Sequence, residues 1–188
     1  MGYILYIFIH DDNILIGGFM EKRDLYDKDR NKLGMIIHKG DEIPNGCYIM
    51  VVMILMQNSK GDFLIQKRSE LKGGKWAFTG GHPKAGESSL EGIISEVREE
   101  LGIDISSQKI KLMKSNIFEN VIGDIYYVNM EYDLEKMVLQ KEEVSDVMLA
   151  SSSEIINMIK NDDFFKSHGK VFMDIINDSH CKKIIKML

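Results

Sequence analysis

Apolar positions change their period several times along this chain, and each change marks an element. The run Gly2-Tyr3-Ile4-Leu5-Tyr6-Ile7-Phe8-Ile9 reads as a short strand. Glu21 to Ile37 reads as two short strands about a polar turn at Asp27 to Asn31. After the Pro44-Asn45-Gly46 turn, Cys47 to Met56 is almost continuously apolar, the pattern of a central strand buried on both faces. A turn at Asn58 to Asp62 leads into a returning strand, Phe63 to Arg68. The glycine-bearing loop Leu71 to Gly74 precedes a strand over Lys75 to Thr79.

The period then becomes helical. Leu90, Ile93, Ile94, Val97 and Leu101 form one stripe, Ser88 and Glu91 make a capping-box signature, and Leu101-Gly102 is a stop. Strand-like segments follow at Ile110 to Lys114, Asn116 to Val121 and Ile125 to Tyr132, the last two arranged as a hairpin about Gly123-Asp124. Ser153 is positioned to cap a helix carrying Ile155, Ile156, Met158 and Ile159. A final helix starts near Gly169 or Lys170, and Ile184-Ile185 extends or follows it. Strands alternating with helices predict an α/β fold, a mixed sheet flanked by helices.

With 188 residues and 44% hydrophobic content, one domain at residues 20–188 is expected, preceded by an extension at 1–19; Met20 is an equally good start. The formal charge of −5, from 29 acidic and 24 basic residues, argues against a nucleic-acid polymer as partner. Cys47 and Cys181 lack metal-ligand spacing and are too few for a disulfide framework, which suits a reducing, cytoplasmic setting. The apolar start has no basic n-region or cleavage site and is too short to span a bilayer. No membrane is expected as a partner, and a homodimer is compatible with the sequence.

The chemistry concentrates on the capped helix. At roughly 100° per residue, Glu96, Glu99 and Glu100 fall within one arc of about 100° beside the apolar stripe. Such carboxylates repel by roughly 0.2–0.5 kcal/mol per pair, and Arg98, the one basic residue of this helix, points about 200° from Glu96 by the same period. An oxygen-rich set of this kind suits Mg²⁺ or Mn²⁺, with water and substrate phosphate completing an octahedron. A solvated acidic face is the plainer reading of the same pattern.

Upstream, Gly80-Gly81 and Gly86-Glu87 bracket a short loop. The order Gly81, five residues, Glu87, eight residues, Glu96-Val97-Arg98-Glu99-Glu100-Leu101-Gly102-Ile103 resembles the Nudix box, the signature of hydrolases that cleave diphosphates linked to another moiety. It departs at Ser95, where the family carries an Arg that helps hold the glutamates. Asp24-Leu25-Tyr26-Asp27, Arg30 and Gly34 are similar to the N-terminal hairpin of the isopentenyl-diphosphate-isomerase-like Nudix hydrolases. The resemblance implies an α/β/α sandwich and a Mg²⁺- or Mn²⁺-dependent hydrolase acting on a nucleoside diphosphate derivative or similar compound. It implies Glu96, Glu99, Glu100 and the Gly80 carbonyl as metal ligands. Glu143, with Glu142 as fallback, matches the loop glutamate that faces the metal in the family. Glu96 and Glu143 are the candidate general bases, and Glu99 belongs with them in the catalytic set. Glu87 is expected to orient the loop.

Lys67 and Arg68 end a strand near this loop and could meet substrate phosphate. His82 matches a region where the isomerases hold a metal-binding His, but a lone loop His is more often a hydrogen-bonding residue. Trp76, the only tryptophan, reads as a core anchor. Two alternatives stay open: a catalytically weak or silent nucleotide-binding module, suggested by Ser95, and an isomerase, which is disfavoured because Gly80 stands where those enzymes carry a catalytic Cys.

Overall fold

The computed structural model describes residues 21–186; the strand expected at the apolar start lies outside them. Strand β3 (Ile49–Gln57) is buried at every position, as its unbroken apolar run requires. Its alternating side chains divide between two cores. Met53 and Leu55 face one layer with Phe63, Phe78, Phe164 and Phe172. Val52, Ile54 and Met56 face the other with Ile93, Val97 and Leu101.

The main sheet runs β5 (Trp76–Ala77), β4 (Phe63–Arg68), β3, β8 (Val121–Asn129), β7 (Lys111–Phe118), with β6 (Thr79–Gly81) paired to β3 and β9 (Val144–Ala150) to β4. Among the described strand pairs only β3 and β8 run parallel, in register from Ile49↔Val121 to Gln57↔Asn129, so the sheet is mixed. Helix α1 (Ser89–Leu101) supplies Ile93, Val97 and Leu101 to one face; α2 (Ser152–Lys160) and α3 (Lys166–Asn177) supply Ile155, Phe172 and Ile175 to the other. The expected α/β/α arrangement is therefore present.

Local chemistry accounts for the places where the elements differ from expectation. The chain crosses from β4 to β3 between β5 and β6, and Phe78 sinks at the break, its ring 5.3 Å from Phe164 and 5.4 Å from Phe172. The hairpin between β7 and β8 turns at Glu119-Asn120, where Phe118 pairs Val121 and Glu119 takes φ 51°, rather than at Gly123-Asp124. Asp124 sits inside β8 at 2% exposure because its carboxylate is compensated: Arg30 Nη2 lies 2.5 Å away and Ser89 Oγ donates at 2.5 Å. Helix α2 is capped by Ser151 rather than Ser153, since Ser151 satisfies both halves of a capping box with Glu154. Helix α3 starts at Lys166, ahead of Gly169, because Ser167 and His168 are buried in its first turn. A separate α4 (Ser179–Lys186) follows Asp178, whose Oδ1 accepts from the His180 and Cys181 amides.

Strands β1 (Lys22–Tyr26) and β2 (Lys32–His38) form a separate antiparallel pair. The polar residues of this hairpin act as clamps. Asp24 Oδ2 accepts from the Gly86 amide at 2.8 Å and pairs Lys32 at 2.7 Å. Asp27 accepts from Asp29 and Asn31 within the turn, and Arg30 reaches across to Asp124. The hairpin is thereby fixed against the loop that precedes α1 and against β8.

Candidate active site

Helix α1 begins as its sequence predicts. Ser88 Oγ accepts from the Glu91 amide, Glu91 Oε2 accepts from the Ser88 amide, and Gly102 ends the helix in the left-handed region at φ 69°. This fixes the rotation of the helix, so that Ile93, Val97 and Leu101 are buried and the glutamate rim faces a cleft of about 240 Å³. Arg98 turns the other way and pairs with Asp104 at 3.1 Å.

Glu96, Glu99, Glu100, Gly80 and Glu143 all line this cleft. The acidic side chains come from three directions: α1, the turn before β9, and Glu21 just ahead of β1. Glu143 is held by its backbone, with Ser69 N donating to Glu143 O at 2.8 Å, and by Lys72, whose Nζ lies 3.3 Å from Oε1. Glu142 does not line the cleft; its carbonyl accepts from Ser69 Oγ at 2.7 Å. Gly80 and Gly81 bring backbone close to the rim. A Cβ on Gly81 would collide with Glu96 Oε1, so glycine is what leaves room for that carboxyl.

Each glutamate has a distinct environment. Burial, reinforced by the neighbouring Glu100 charge, raises the Glu96 carboxyl well above the ordinary range. Glu100 is 8% exposed, and burial pushes it up to about 7, opposed by the hydrogen bond that Gln66 Nε2 donates to Oε2 at 2.7 Å. Thr79 Oγ1 donates to Gln66 Oε1 at 2.7 Å, which sets the amide orientation. Glu99 is half-exposed and pairs with Lys84; that bond raises the Lys84 ammonium.

In this arrangement no three His, Cys, Asp or Glu side chains among the described residues converge closely enough to hold a metal ion. The physical reason is visible: Glu99 is turned toward Lys84 and Glu100 toward Gln66. The donor set nevertheless suits a hard cation, being all oxygen, with two carboxyls whose charged forms are disfavoured while no cation is near.

Glu87 orients the loop. Its Oε2 accepts from the Lys84 amide at 2.8 Å and its Oε1 from Ser95 Oγ at 2.7 Å. Ser95 thus ties the loop to the helix at the position where the family carries Arg. Arg68 lines the cleft, its guanidinium 4.3 Å above the Phe165 ring and its Nε donating to Lys72 O at 2.9 Å. Lys67 does not line it; the strand alternation that sends Arg68 to the cleft leaves Lys67 opposite Trp76 and Asp146 in the sheet. His82 lines the cleft. Trp76 packs against the core beneath α2 and α3.

Sequence reasoning missed Glu21, Arg23, Lys39, Lys72, Lys84, Phe165 and His168, all of which line the cleft. Of these, only Lys84 had a local signal, as a cation inside the loop that faces the acidic rim. The others arrive from distant segments. His168 is buried at the start of α3, and burial pushes its imidazole down to about 3, so it is neutral and bonded to the Phe78 backbone.

Residues 48–174 match the NUDIX domain. The chain belongs to the Nudix hydrolase family. It is 32% identical over 140 residues to an uncharacterised Nudix hydrolase of Listeria monocytogenes, covering 72% of this chain and 83% of that one. A MutT protein from Methanosarcina mazei is 27% identical in the superposed region, with TM-score 0.54 over 69% of this chain and 93% of the other. A Deinococcus radiodurans protein shares the fold at TM-score 0.62 and 20% identity, over 77% and 91% of the two chains. Nudix hydrolases generally use divalent metals and act on nucleoside diphosphate derivatives, and the cleft described above is built on the residues of the family's box. Neither cysteine lines it: Cys47 lies under the β1–β2 hairpin and Cys181 in the α3-side core. Among the described residues no helix is long and apolar enough to cross a membrane.

Proposed function

We propose that this Nudix hydrolase cleaves the phosphoanhydride bond of a nucleoside diphosphate derivative, with Glu96, Glu99, Glu100 and the Gly80 carbonyl holding Mg²⁺ or Mn²⁺. The observation that carries the reading is the meeting of Glu96, Glu99, Glu100 and Glu143, four of the five glutamates that line the cleft, with Arg68, Lys72 and Lys84. Carboxylates alone would repel a diphosphate. When bound, a divalent cation neutralises the substrate's charge and acidifies water at neutral pH.

The protein's own groups divide the remaining work. Of the two candidate general bases, Glu143 is engaged with Lys72 at 3.3 Å, which leaves Glu96, on the helix rim, the one free to take a proton from water. Water attacks phosphorus, its proton passes to Glu96, and the bridging oxygen leaves with the other half of the substrate. Gln66 keeps the Glu100 carboxyl oriented, and Lys84 is placed to release Glu99 and engage phosphate. Glu87 and Ser95 keep the loop in place.

The test is product release from nucleoside di- and triphosphates, nucleotide sugars and dinucleotides, with Mg²⁺, with Mn²⁺ and with chelator. Glu99→Gln and Glu100→Gln are expected to lower metal-dependent turnover by about 10²-fold or more while keeping the thermal midpoint. Unchanged rates in both would remove these residues from the site. Silence across the panel with nucleotide binding intact would favour the binding-module alternative.

A further inference from the structure

The β1–β2 hairpin precedes the segment that matches the NUDIX domain, which begins at residue 48, yet it supplies part of the cleft wall. Arg23 of β1 lines the cleft with its side chain 10% exposed. Its Nε and Nη2 donors are buried and have no hydrogen-bond partner among the described residues. Glu21 lies 3.6 Å from Nη2, close enough to offset charge but too far to accept a hydrogen bond.

This is an expensive arrangement. An Arg carries five donors and stays charged, and burying them unpaired costs several kcal/mol in general. The neighbouring cations differ in this respect: Arg68 donates to Lys72 O and stacks on Phe165, Lys72 pairs Glu143, and Lys84 pairs Glu99. Arg23 is also held firmly. Lys22 O accepts from the Ala85 amide at 2.8 Å, and Asp24 on the other side binds the Gly86 amide, so β1 is pinned on both sides of Arg23 to the box loop.

We infer that Arg23 is a substrate-binding residue, its unpaired guanidinium donors engaging phosphate oxygens of the diphosphate in the cleft that Arg68 also lines. The inference rests on the hydrolase reading and adds a determinant from outside the matched domain. A planar guanidinium suits this task because two parallel N–H donors meet two oxygens in a fixed geometry, whereas an ammonium acts as a point charge with rotatable donors. Engagement replaces the missing hydrogen bonds of Arg23 and holds the diphosphate across the glutamates.

The experiment is calorimetric titration of inorganic pyrophosphate into the full chain with Mg²⁺, for wild type, Arg23→Gln and Arg23→Lys, with thermal midpoints for each. Arg23→Gln is expected to bind about tenfold more weakly or worse, since hydrogen bonds to charged groups are the stronger class. Its midpoint should be unchanged or higher, because an unsatisfied buried charge has been removed, and Arg23→Lys should fall between. Pyrophosphate affinity within twofold of wild type in Arg23→Gln would overturn the assignment alone. So would a lowered midpoint in both variants with no partial recovery of binding in Arg23→Lys, which would mark a purely structural role. A wild-type chain that takes up no pyrophosphate with Mg²⁺ would overturn this assignment and count against the hydrolase reading as well; turnover of the substrate panel decides the latter separately.

Discussion

Ser95 Oγ donates to Glu87 Oε1 at 2.7 Å, joining the middle of α1 to the loop that leads into it. Glu87 uses its other oxygen on the Lys84 amide, so one carboxylate fixes both the loop and the helix. Ser95→Ala removes the helix side of this link. It is expected to destabilise the fold by about 1 kcal/mol and to lower kcat, by loosening the loop that carries Lys84. Ser95→Arg should retain the link through a charge-assisted contact to Glu87, with turnover at or above wild type. Thermal melts and steady-state kinetics on the three proteins check this; a loss in Ser95→Arg equal to that in Ser95→Ala would show that the space is shaped for a hydroxyl.

Adjacent glycines separate site from scaffold. A Cβ on Gly81 would collide with the Glu96 carboxyl, the movable end of a side chain; a Cβ on Gly80 meets the Val52 carbonyl, which is backbone, at 2.5 Å. Gly81→Ala is therefore expected to keep its midpoint and lose turnover by about 10²-fold as Glu96 is displaced. Gly80→Ala should lose stability by about 1–3 kcal/mol, the usual range for overpacking, because β6 is forced off β3. Equal midpoints for the two variants would contradict this division.

The cleft carboxyls give stability a pH dependence that a cation reverses. Burial raises Glu100 to about 7 and Glu96 in the same direction. In the folded state they bind protons more tightly than in the unfolded chain. Their favourable contribution is complete below the ordinary glutamate range, and for Glu100 it is lost as pH rises toward and through about 7. Metal-free protein should accordingly melt lower at pH 8 than at pH 5 from this source, and Mg²⁺ should raise the midpoint more at pH 8, where ligands are ionised. Calorimetry in both buffers, with Glu100→Gln as reference, tests it. A Mg²⁺ shift as large at pH 5 as at pH 8 would place the cation elsewhere.

Arg30 and Asp124 pair at 2.5 Å with side-chain exposures of 34% and 1%. Arg30→Ala leaves the Asp124 charge buried with only Ser89 as donor. Breaking a buried pair costs about 3–5 kcal/mol; with Arg30 a third exposed, about 2–3 kcal/mol is expected. Asp124→Asn should cost less, since no buried charge remains. Denaturant melts compare them, and a larger loss in Asp124→Asn would mean that the hairpin clamp, rather than the buried charge, dominates.

The sequence by itself determined what is local or periodic. The unbroken run through β3 required a strand covered on both sides, and the Ser88–Glu91 box and Gly102 set the limits of α1 and hence the common facing of Glu96, Glu99 and Glu100. These follow from short-range geometry, which any chain obeys before it folds further. Wherever a distant partner changes the local preference, tertiary structure decided. Gly123-Asp124 reads as a turn but lies within β8 because Arg30, from the far hairpin, compensates the charge. Lys67 and Arg68 look equivalent in sequence, yet only Arg68 lines the cleft. Arg23 carried no signal, since its meaning depends on burial beside a loop some sixty residues away, at Ala85 and Gly86. Periodicity fixes which face of an element is buried; only packing between elements fixes which charges meet across it.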